Sequence, residues 1–367
     1  MRRSVDIIGT RGYPSYYGGF ETLVRNLVPY LADRDWDVAV YGRPGAVRLE
    51  DPSRDPRVAS RETWGIESKS LSTLSYGLTS SLHSARRRPD VALIMNVANG
   101  YWLPLLKLRG VPTVVNVDGI EWEREKWGAA AKSVFLNGAR LTARWADNLV
   151  YDSRALGQRW SDEFHRTGDF IPYGGTNPGE LSPAHSSSPG SYALVVARFV
   201  PENTVSEFFD AAEVISKTND VVIVGSSGYG GQFDQRVNEM ARLNPRIHAL
   251  GHVSDDRRLF SLWQNAGAYF HGHSVGGTNP ALVQAMACGT PIVARDTVFN
   301  REVLADTAVF VEPDGSLIAE AMLSLLKDRT RQRVLGDRAR SRGEQHYNWD
   351  SVCGAYEDAL SRAIVEA

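Results

Sequence analysis

Two glycine-bearing turns and one arginine in this chain have the residue types needed to hold an anion. The first turn is GTRGYPSYYGG at residues 9–19, which follows the short apolar stretch SVDII and runs into Phe20, Glu21 and Thr22. Glycines let a backbone turn tightly and approach a ligand, and a helix start offers unpaired N–H groups to negative charge. The second is HGHSVGGTNPALVQAMACGTPIVA at 271–294, with a glycine pair after a strand ending at Phe270. There Thr278 or Asn279 supplies an N-cap and Pro280 the first helical turn. Arg198, in ARFVPEN, stands just past a strand end. Its planar fork pairs bidentately with phosphate oxygens, so the three features together suit a diphosphate.

Other patterns carry less. The first turn lacks the Lys-Ser/Thr of a P-loop and the spacing of G-x-G-x-x-G. After the second strand, Tyr41-Gly42-Arg43 stands where a dinucleotide fold places its ribose acid. Both departures weigh against a nicotinamide-dependent oxidoreductase, the alternative from another enzyme class. Glu21 has two readings, a carboxylate favoured by the helix dipole or a ligand group. The D-x-D spacings within Asp33-Arg34-Asp35-Trp36-Asp37 precede a strand and read as a surface turn. His271 and His273 flank a glycine with no third ligand nearby, so no metal is expected.

Positioning these groups requires parallel α/β units. Short β-branched runs alternate with helical periodicity, which predicts strands at 5–8, 37–41, 90–95, 113–117, 148–151 and 170–172. A second set follows at 192–197, 220–225, 246–251, 267–272, 291–294 and 308–311. Between the sets, GTNPGELSPAHSSSPGS at 175–191 lacks apolar periodicity and reads as a linker. Each half is expected to form its own doubly wound sheet, with ligands beyond the carboxyl ends of its strands. Leu23, Leu27 and Leu31 fall on one stripe of the first helix, and YNWDSVCGAYEDALSRAI at 347–364 reads as a terminal helix.

A chain of 367 residues exceeds one typical core. It is 43% hydrophobic and 23% charged with net charge −2, which gives no electrostatic case for nucleic acid. Cys288 and Cys353 are the only cysteines, too few for a disulfide framework or a cysteine zinc site. No apolar run reaches the ~18 residues needed to span a bilayer, and MRRSVDIIGT enters a strand without the apolar core of a signal peptide. A cytoplasmic location is expected, and the missing export signal weighs against a two-lobed solute-binding protein. GYWLPLLKLRG at 100–110 reads either as a peripheral membrane or lipid contact or as a buried helix.

The stretches GTRGYPSYYGGFET, NVDGIEWEREKW, ARFVPEN, GHVSDD and HGHSVGGTNPALVQAMACG occur in an order that resembles glycosyltransferase family 4. These are retaining enzymes of the GT-B fold, and the likeness spans essentially the whole chain. It is nearest a branch that includes bacterial rhamnosyltransferases. The resemblance implies an α/β protein of two doubly wound Rossmann-like domains facing each other across a cleft. Residues 1–178 would bind the acceptor, 190–346 the nucleotide sugar, and the helix at 347–364 would cross back onto the first domain. It also implies that no cofactor or metal is needed. The expected donor is dTDP-L-rhamnose and the expected acceptor a saccharide or lipid-linked saccharide. O- or S-glycosylation of a soluble small molecule from a UDP-, GDP- or dTDP-sugar is the alternative.

Carried over by position, Arg198 would clasp the donor diphosphate. The family's lysine five residues later is Asn203 here, so backbone N–H groups of Gly18, Gly19, Gly276 and Gly277 would carry more of that charge. The family's two glutamates spaced E-x7-E fall at Gly276 and Gln284. A glutamine can still accept from ribose hydroxyls without charge assistance, and an exposed helix glutamine is the other reading. The main chain of Val253 would hold the base, and His273, Thr278 and Asn279 would line the donor pocket. The acceptor would meet Tyr17, Asp118, Glu121 and Lys126. In NVDGIEWEREKW, read as a strand running into a helix, Asp118 sits at the strand's carboxyl end. It would either orient the nucleophile's proton or cap the helix, while the neighbouring charges read as a solvated helix face.

Overall fold

The β-branched runs fold into two separate parallel sheets. The computed structural model describes residues 2–16, 18–46, 50–68, 71–117, 119–124, 127–228 and 230–366. Contacts divide it into Met1–Pro172 with Trp349–Ala367, and Tyr173–Asn348.

In the first unit the strands are β1 (Arg3–Ile8), β2 (Trp36–Gly42), β3 (Ala59–Glu62), β4 (Val91–Met95), β5 (Thr113–Asn116), β6 (Asn148–Tyr151) and β7 (Asp169–Phe170). They form one sheet in the order β3-β2-β1-β4-β5-β6-β7, every pair parallel. Helices α1 (Gly19–Ala32), α2 (Ser72–Arg87), α3 (Leu103–Lys107), α4 (Ala129–Trp145) and α5 (Arg154–Phe164) make the crossovers. Strand β4 is an apolar run buried on both faces, as parallel sheets covered on both sides require, and β1 is buried from Val5 to Ile8. The α1 stripe of Leu23, Leu27 and Leu31 is buried.

In the second unit β8 (Ala193–Val196), β9 (Val221–Val224), β10 (Ile247–Gly251), β11 (Ala268–His271), β12 (Ile292–Arg295) and β13 (Val309–Val311) pair in the order β10-β9-β8-β11-β12-β13. Their helices are α6 (Val205–Ile215), α7 (Gln232–Leu243), α8 (Asp256–Gln264), α9 (Pro280–Ala287), α10 (Val298–Leu304), α11 (Gly315–Lys327) and α12 (Arg329–His346). One face of this sheet buries Phe208, Phe209 and Phe270, with Phe208 stacked on Phe270 at 5.4 Å. The last helix, α13 (Trp349–Val365), belongs to the first unit. It packs on β4 and β5, where Asn116 Nδ2 donates to Tyr356 OH at 2.6 Å.

Three sequence expectations change. Strand β3, ASRE, is absent from the predicted set because a polar edge strand has no apolar run to betray it. The 175–191 stretch lies inside the second unit, where Gly175 N donates to Tyr347 O at 2.7 Å and Gly190 N to Asn265 O at 2.7 Å. Residues 121–123 form a 3₁₀ turn apart from α4, which starts only after Gly128. Within 100–110, Leu103 and Leu106 are buried and Trp102 Nε1 donates to Leu74 O at 3.0 Å, while Leu108 is exposed. Among the described residues no helix is long and apolar enough to cross a membrane.

The charges of the D-x-D stretch lie in surface pairs, Asp33 with Arg57 at 2.6 Å and Asp37 with Arg87 at 2.5 Å. Arg87 also pairs with the wholly buried Asp6 in the middle of β1, and Tyr41 OH donates to that carboxylate at 3.0 Å. Burial, reinforced by the Asp6 charge, raises the Tyr41 hydroxyl above the usual phenol range, so it stays a donor.

Candidate functional site

In the second sheet the strand order runs one way from β8 and the opposite way from β11, and these two strands are neighbours. The loops that leave their carboxyl ends sit at this strand-order reversal, the place where doubly wound sheets take their ligands. Arg198 is on the first loop and the glycine-rich segment on the second.

Several bonds stitch the two loops together. Residues 201–203 form a 3₁₀ turn. Ser274 N and Oγ both donate to Glu202 O at 2.9 Å, and Thr204 Oγ1 donates to Gly272 O at 2.7 Å. Asn203 Oδ1 meets His273 Nδ1 at 2.7 Å while its Nδ2 donates to Arg198 O at 2.8 Å. An amide oxygen only accepts, so this pair fixes the His273 proton on Nδ1. Asn203 therefore acts as a brace between the arginine loop and the histidine in a position where the related family has a lysine. Gly272 is required sterically, since a Cβ would lie 2.4 Å from Asn203 O. Thr204 adopts the left-handed conformation at φ 56°, held by Gly272 O and by Arg295 Nη1 at 3.0 Å.

Arg198 itself is exposed, and among the described residues its guanidinium has neither an ion-pair nor a hydrogen-bond partner. An arginine held by its main chain with a free fork is ready for an anion. On the second loop, Asn279 is the N-cap of α9, its Oδ1 accepting from Ala281 N at 2.9 Å, with Pro280 next. Gly276 at φ 106° supplies the turn before it, and Thr278 is buried there. His271 is buried at the end of β11, its ring 6.2 Å from that of His273. Burial pushes it down to about 3, and its Nδ1 meets Tyr269 OH at 3.1 Å.

Gln284 is committed to the protein's own main chain. It is buried, Oε1 accepts from Thr176 N at 2.9 Å, and Nε2 donates to Thr176 O at 2.7 Å and reaches Cys288 Sγ at 3.5 Å. The exposed-helix reading is thereby corrected, because the residue clamps both sides of one peptide unit. Gly175 beside it passes so close to α9 that a Cβ would lie 2.6 Å from Val283 O. Gln284→Glu is expected to lose about 1–3 kcal/mol, since a carboxylate cannot donate to Thr176 O and would face that carbonyl. Thermal unfolding checks this, whereas a ribose-binding role would show as a lower donor KM without loss of stability.

Val253 is half-buried after β10, an outer strand separated from β8 by β9. Asp255 in the same motif caps α8, accepting from Arg258 N at 3.1 Å. One loop escaped the sequence reading, GSSGYGG at 225–231 after β9. Phe199 N donates to Ser226 O at 3.1 Å, and a Cβ on Gly225 would lie 1.8 Å from Ala197 O, so this loop lies against the arginine loop. Its signal was a glycine cluster between a strand and a helix start, the same signal read elsewhere in the chain.

In the first unit, Gly18 is the N-cap of α1 and provides no side-chain cap, so the N–H groups of the first turn at Gly19 are free of one. Glu21 is buried and turns back to accept from Arg11 N at 3.0 Å, the structural one of its two readings. Glu121 is buried as well, pairing with Arg124 at 2.6 Å and accepting from Trp127 Nε1 at 2.8 Å. It is not part of a solvated helix face, because the 3₁₀ turn tucks it inward. Tyr17, Asp118 and Lys126 lie outside the described residues.

This architecture is the GT-B arrangement of two Rossmann-like parallel-sheet domains. Residues 18–173 match the family model for a glycosyl transferase 4-like domain, and residues 183–342 match that for glycosyl transferases group 1. The chain is thus built from a glycosyl transferase 4-like domain followed by a group 1 glycosyl transferase domain.

Among curated relatives, the MMP alpha-(1->4)-mannosyltransferase of Mycolicibacterium hassiacum is 27% identical, covering 95% of this chain and 96% of that protein. The phosphatidyl-myo-inositol mannosyltransferase of Mycobacterium leprae is 30% identical over 44% of each chain. With the latter the match spans less than half the relative's length. Among solved structures, sucrose-phosphate synthase from Thermosynechococcus elongatus superposes with a TM-score of 0.80 at 18% identity, covering 100% of both chains. Anabaena HepE in complex with UDP gives 0.71 at 14% identity, covering 98% of this chain and 100% of that one.

Proposed function

We infer that the protein transfers a sugar from a nucleoside diphosphate to an acceptor. The observation that carries this is the unpartnered Arg198 fork at the strand-order reversal, beside the glycine-rich start of α9. Relatives that are mannosyltransferases and a fold neighbour crystallised with UDP support the same reading. The donor assigned is dTDP-L-rhamnose, on the likeness of HGHSVGGTNP and its companion motifs to the rhamnosyltransferase branch. The acceptor assigned is a saccharide or lipid-linked saccharide. The burial of Leu103 and Leu106 favours, as a second reading, a soluble acceptor glycosylated on oxygen or sulfur.

Transfer proceeds with retention and without a resident metal. The C1–oxygen bond to the diphosphate breaks, the acceptor attacks the same face, and its proton passes to the departing phosphate oxygen. The work of the protein is to orient the partners and to stabilise charge on the leaving group. Arg198 and the N–H groups around Gly276, Gly277 and the α9 start do this on the second unit. The α1 start at Gly18 and Gly19 offers N–H groups of the same kind within the first unit. His273 and Thr278 line the donor pocket, and Val253 holds the base through its main chain. Asp118, with Tyr17 and Lys126, serves the acceptor.

A panel of UDP-, GDP- and dTDP-sugars, scored by thermal shift and by donor hydrolysis, tests the reading. One nucleotide series is expected to stabilise the protein by about 2.7 kcal/mol at a hundredfold excess over its Kd. NADH is expected to give no shift. Stabilisation by NADH alone, or by none of the nucleotide sugars, would overturn the assignment.

A further inference from the structure

A second arginine stands at the strand-order reversal of the second sheet, as the last residue of β12. Strand β11 pairs with β8 on one side and with β12 on the other, Phe270 opposite Val195 and His271 opposite Ala294. That register sets Arg295 level with Gly272, where the glycine-rich segment leaves the sheet. Arg198 stands just past β8, on the other side of the same segment. Parallel strands lie about 4.8 Å apart, so the two arginine backbones flank the segment about 10 Å from each other.

The fork of Arg295 is tied to the protein at a single atom. Its Nη1 donates to Thr204 Oγ1 at 3.0 Å, and that hydroxyl donates to Gly272 O at 2.7 Å. Asn300 Nδ2 donates to Arg295 O at 2.8 Å and to His273 O at 2.9 Å, which joins the end of β12 to the histidine. Among the described residues the guanidinium makes no other hydrogen bond and no ion pair. The adjacent carboxylate, Asp296, is taken through both oxygens by Arg301, and Glu207 in the first turn of α6 does not reach the fork. A guanidinium has five N–H donors, so most of this half-buried fork is uncommitted. Its setting also disfavours a cation. Thr204 is the N-cap residue of α6 and supplies no side-chain cap, so Arg295 stands at the positive end of an 11-residue helix. Neither an acidic partner nor the helix dipole accounts for the charge there. An anion at the glycine-rich segment does.

We propose that Arg295 is the second cation for the diphosphate of the donor, opposite Arg198. It supplies from β12 the charge that the related family supplies with a lysine at the position of Asn203. The word donor rests on the transferase reading, which this deepens. The pairing of two arginines around a diphosphate does not depend on it.

Calorimetry on the full chain tests it, with UDP, GDP, dTDP and inorganic pyrophosphate as probes. The parent is expected to bind one of the nucleoside diphosphates, and Arg295→Gln to weaken that binding at least tenfold, the usual effect of losing a charge-assisted contact. Arg295→Lys should stay within fivefold of the parent. Glutamine and lysine both keep an N–H donor for Thr204, so a merely bracing arginine would be replaced equally well by either. The proposal is overturned if the two variants bind the diphosphate alike, or if Arg295→Gln binds it as the parent does. In both of those cases a parent that binds a nucleoside diphosphate leaves the transferase reading standing. A parent that binds none of the three nucleotides sinks that reading. Pyrophosphate binding that weakens at least tenfold in Arg295→Gln would then keep the anion site, and its absence would sink both.

Discussion

Arg198→Ala is expected to lower sugar transfer at least a hundredfold while the unfolding midpoint stays within a degree or two of the parent. The rate loss follows from removing one pre-positioned donor to a developing negative charge, which typically costs about 10²–10³. The stability should survive because the side chain is exposed and makes no bond among the described residues. The loop is held through the main chain, where Arg198 O accepts from Val200 N at 2.9 Å and from Asn203 Nδ2 at 2.8 Å. Arg198→Lys should fall between the two, keeping charge but losing the fork. Initial rates with the donor found in the nucleotide panel, alongside thermal unfolding, decide it. An alanine variant with near-parental turnover would remove Arg198 from the chemistry.

The largest stability effect is expected at Arg87. Its removal strands the Asp6 carboxylate inside β1 with only the Tyr41 hydroxyl for company. Breaking a buried pair by deleting one partner typically costs 3–5 kcal/mol, and the one-fifth exposure of the Arg87 side chain points to the lower end. Arg87→Ala should therefore lower the unfolding midpoint by roughly 6–12 °C, taking about 2–4 °C per kcal/mol for a unit of this size. Adding Asp6→Asn to that variant should recover part of the loss, since the amide carries no charge and Tyr41 can still donate to it. Additive losses in a double-mutant cycle would mean the two residues do not act as a pair.

Legibility in the sequence tracked how local each signal was. Strands such as β4 and β11 are β-branched or aromatic runs between turn residues, and their burial on both faces makes the run continuous. Strand β3 has no such run because one of its edges meets no partner strand. The α9 start was legible because capping is written within a few residues, and Asn279 rather than Thr278 makes the cap. Gln284, Glu21 and Glu121 were ambiguous for the opposite reason. Their partners at Thr176, Arg11 and Trp127 are set by tertiary folding, so a polar residue bound for the interior looks like any surface one.

Helix α13 has a bearing on how the chain is made. Trp36 Nε1 donates to Glu357 Oε1 at 3.0 Å, Arg3 Nη1 to Ser361 Oγ at 2.8 Å, and Arg362 pairs with Asp169 at 2.5 Å. On the ribosome, everything from Tyr173 to Asn348 is synthesised before those partners exist. The half translated first must therefore wait, with the apolar surface over β4 and β5 still bare, while the half translated second can finish folding ahead of it.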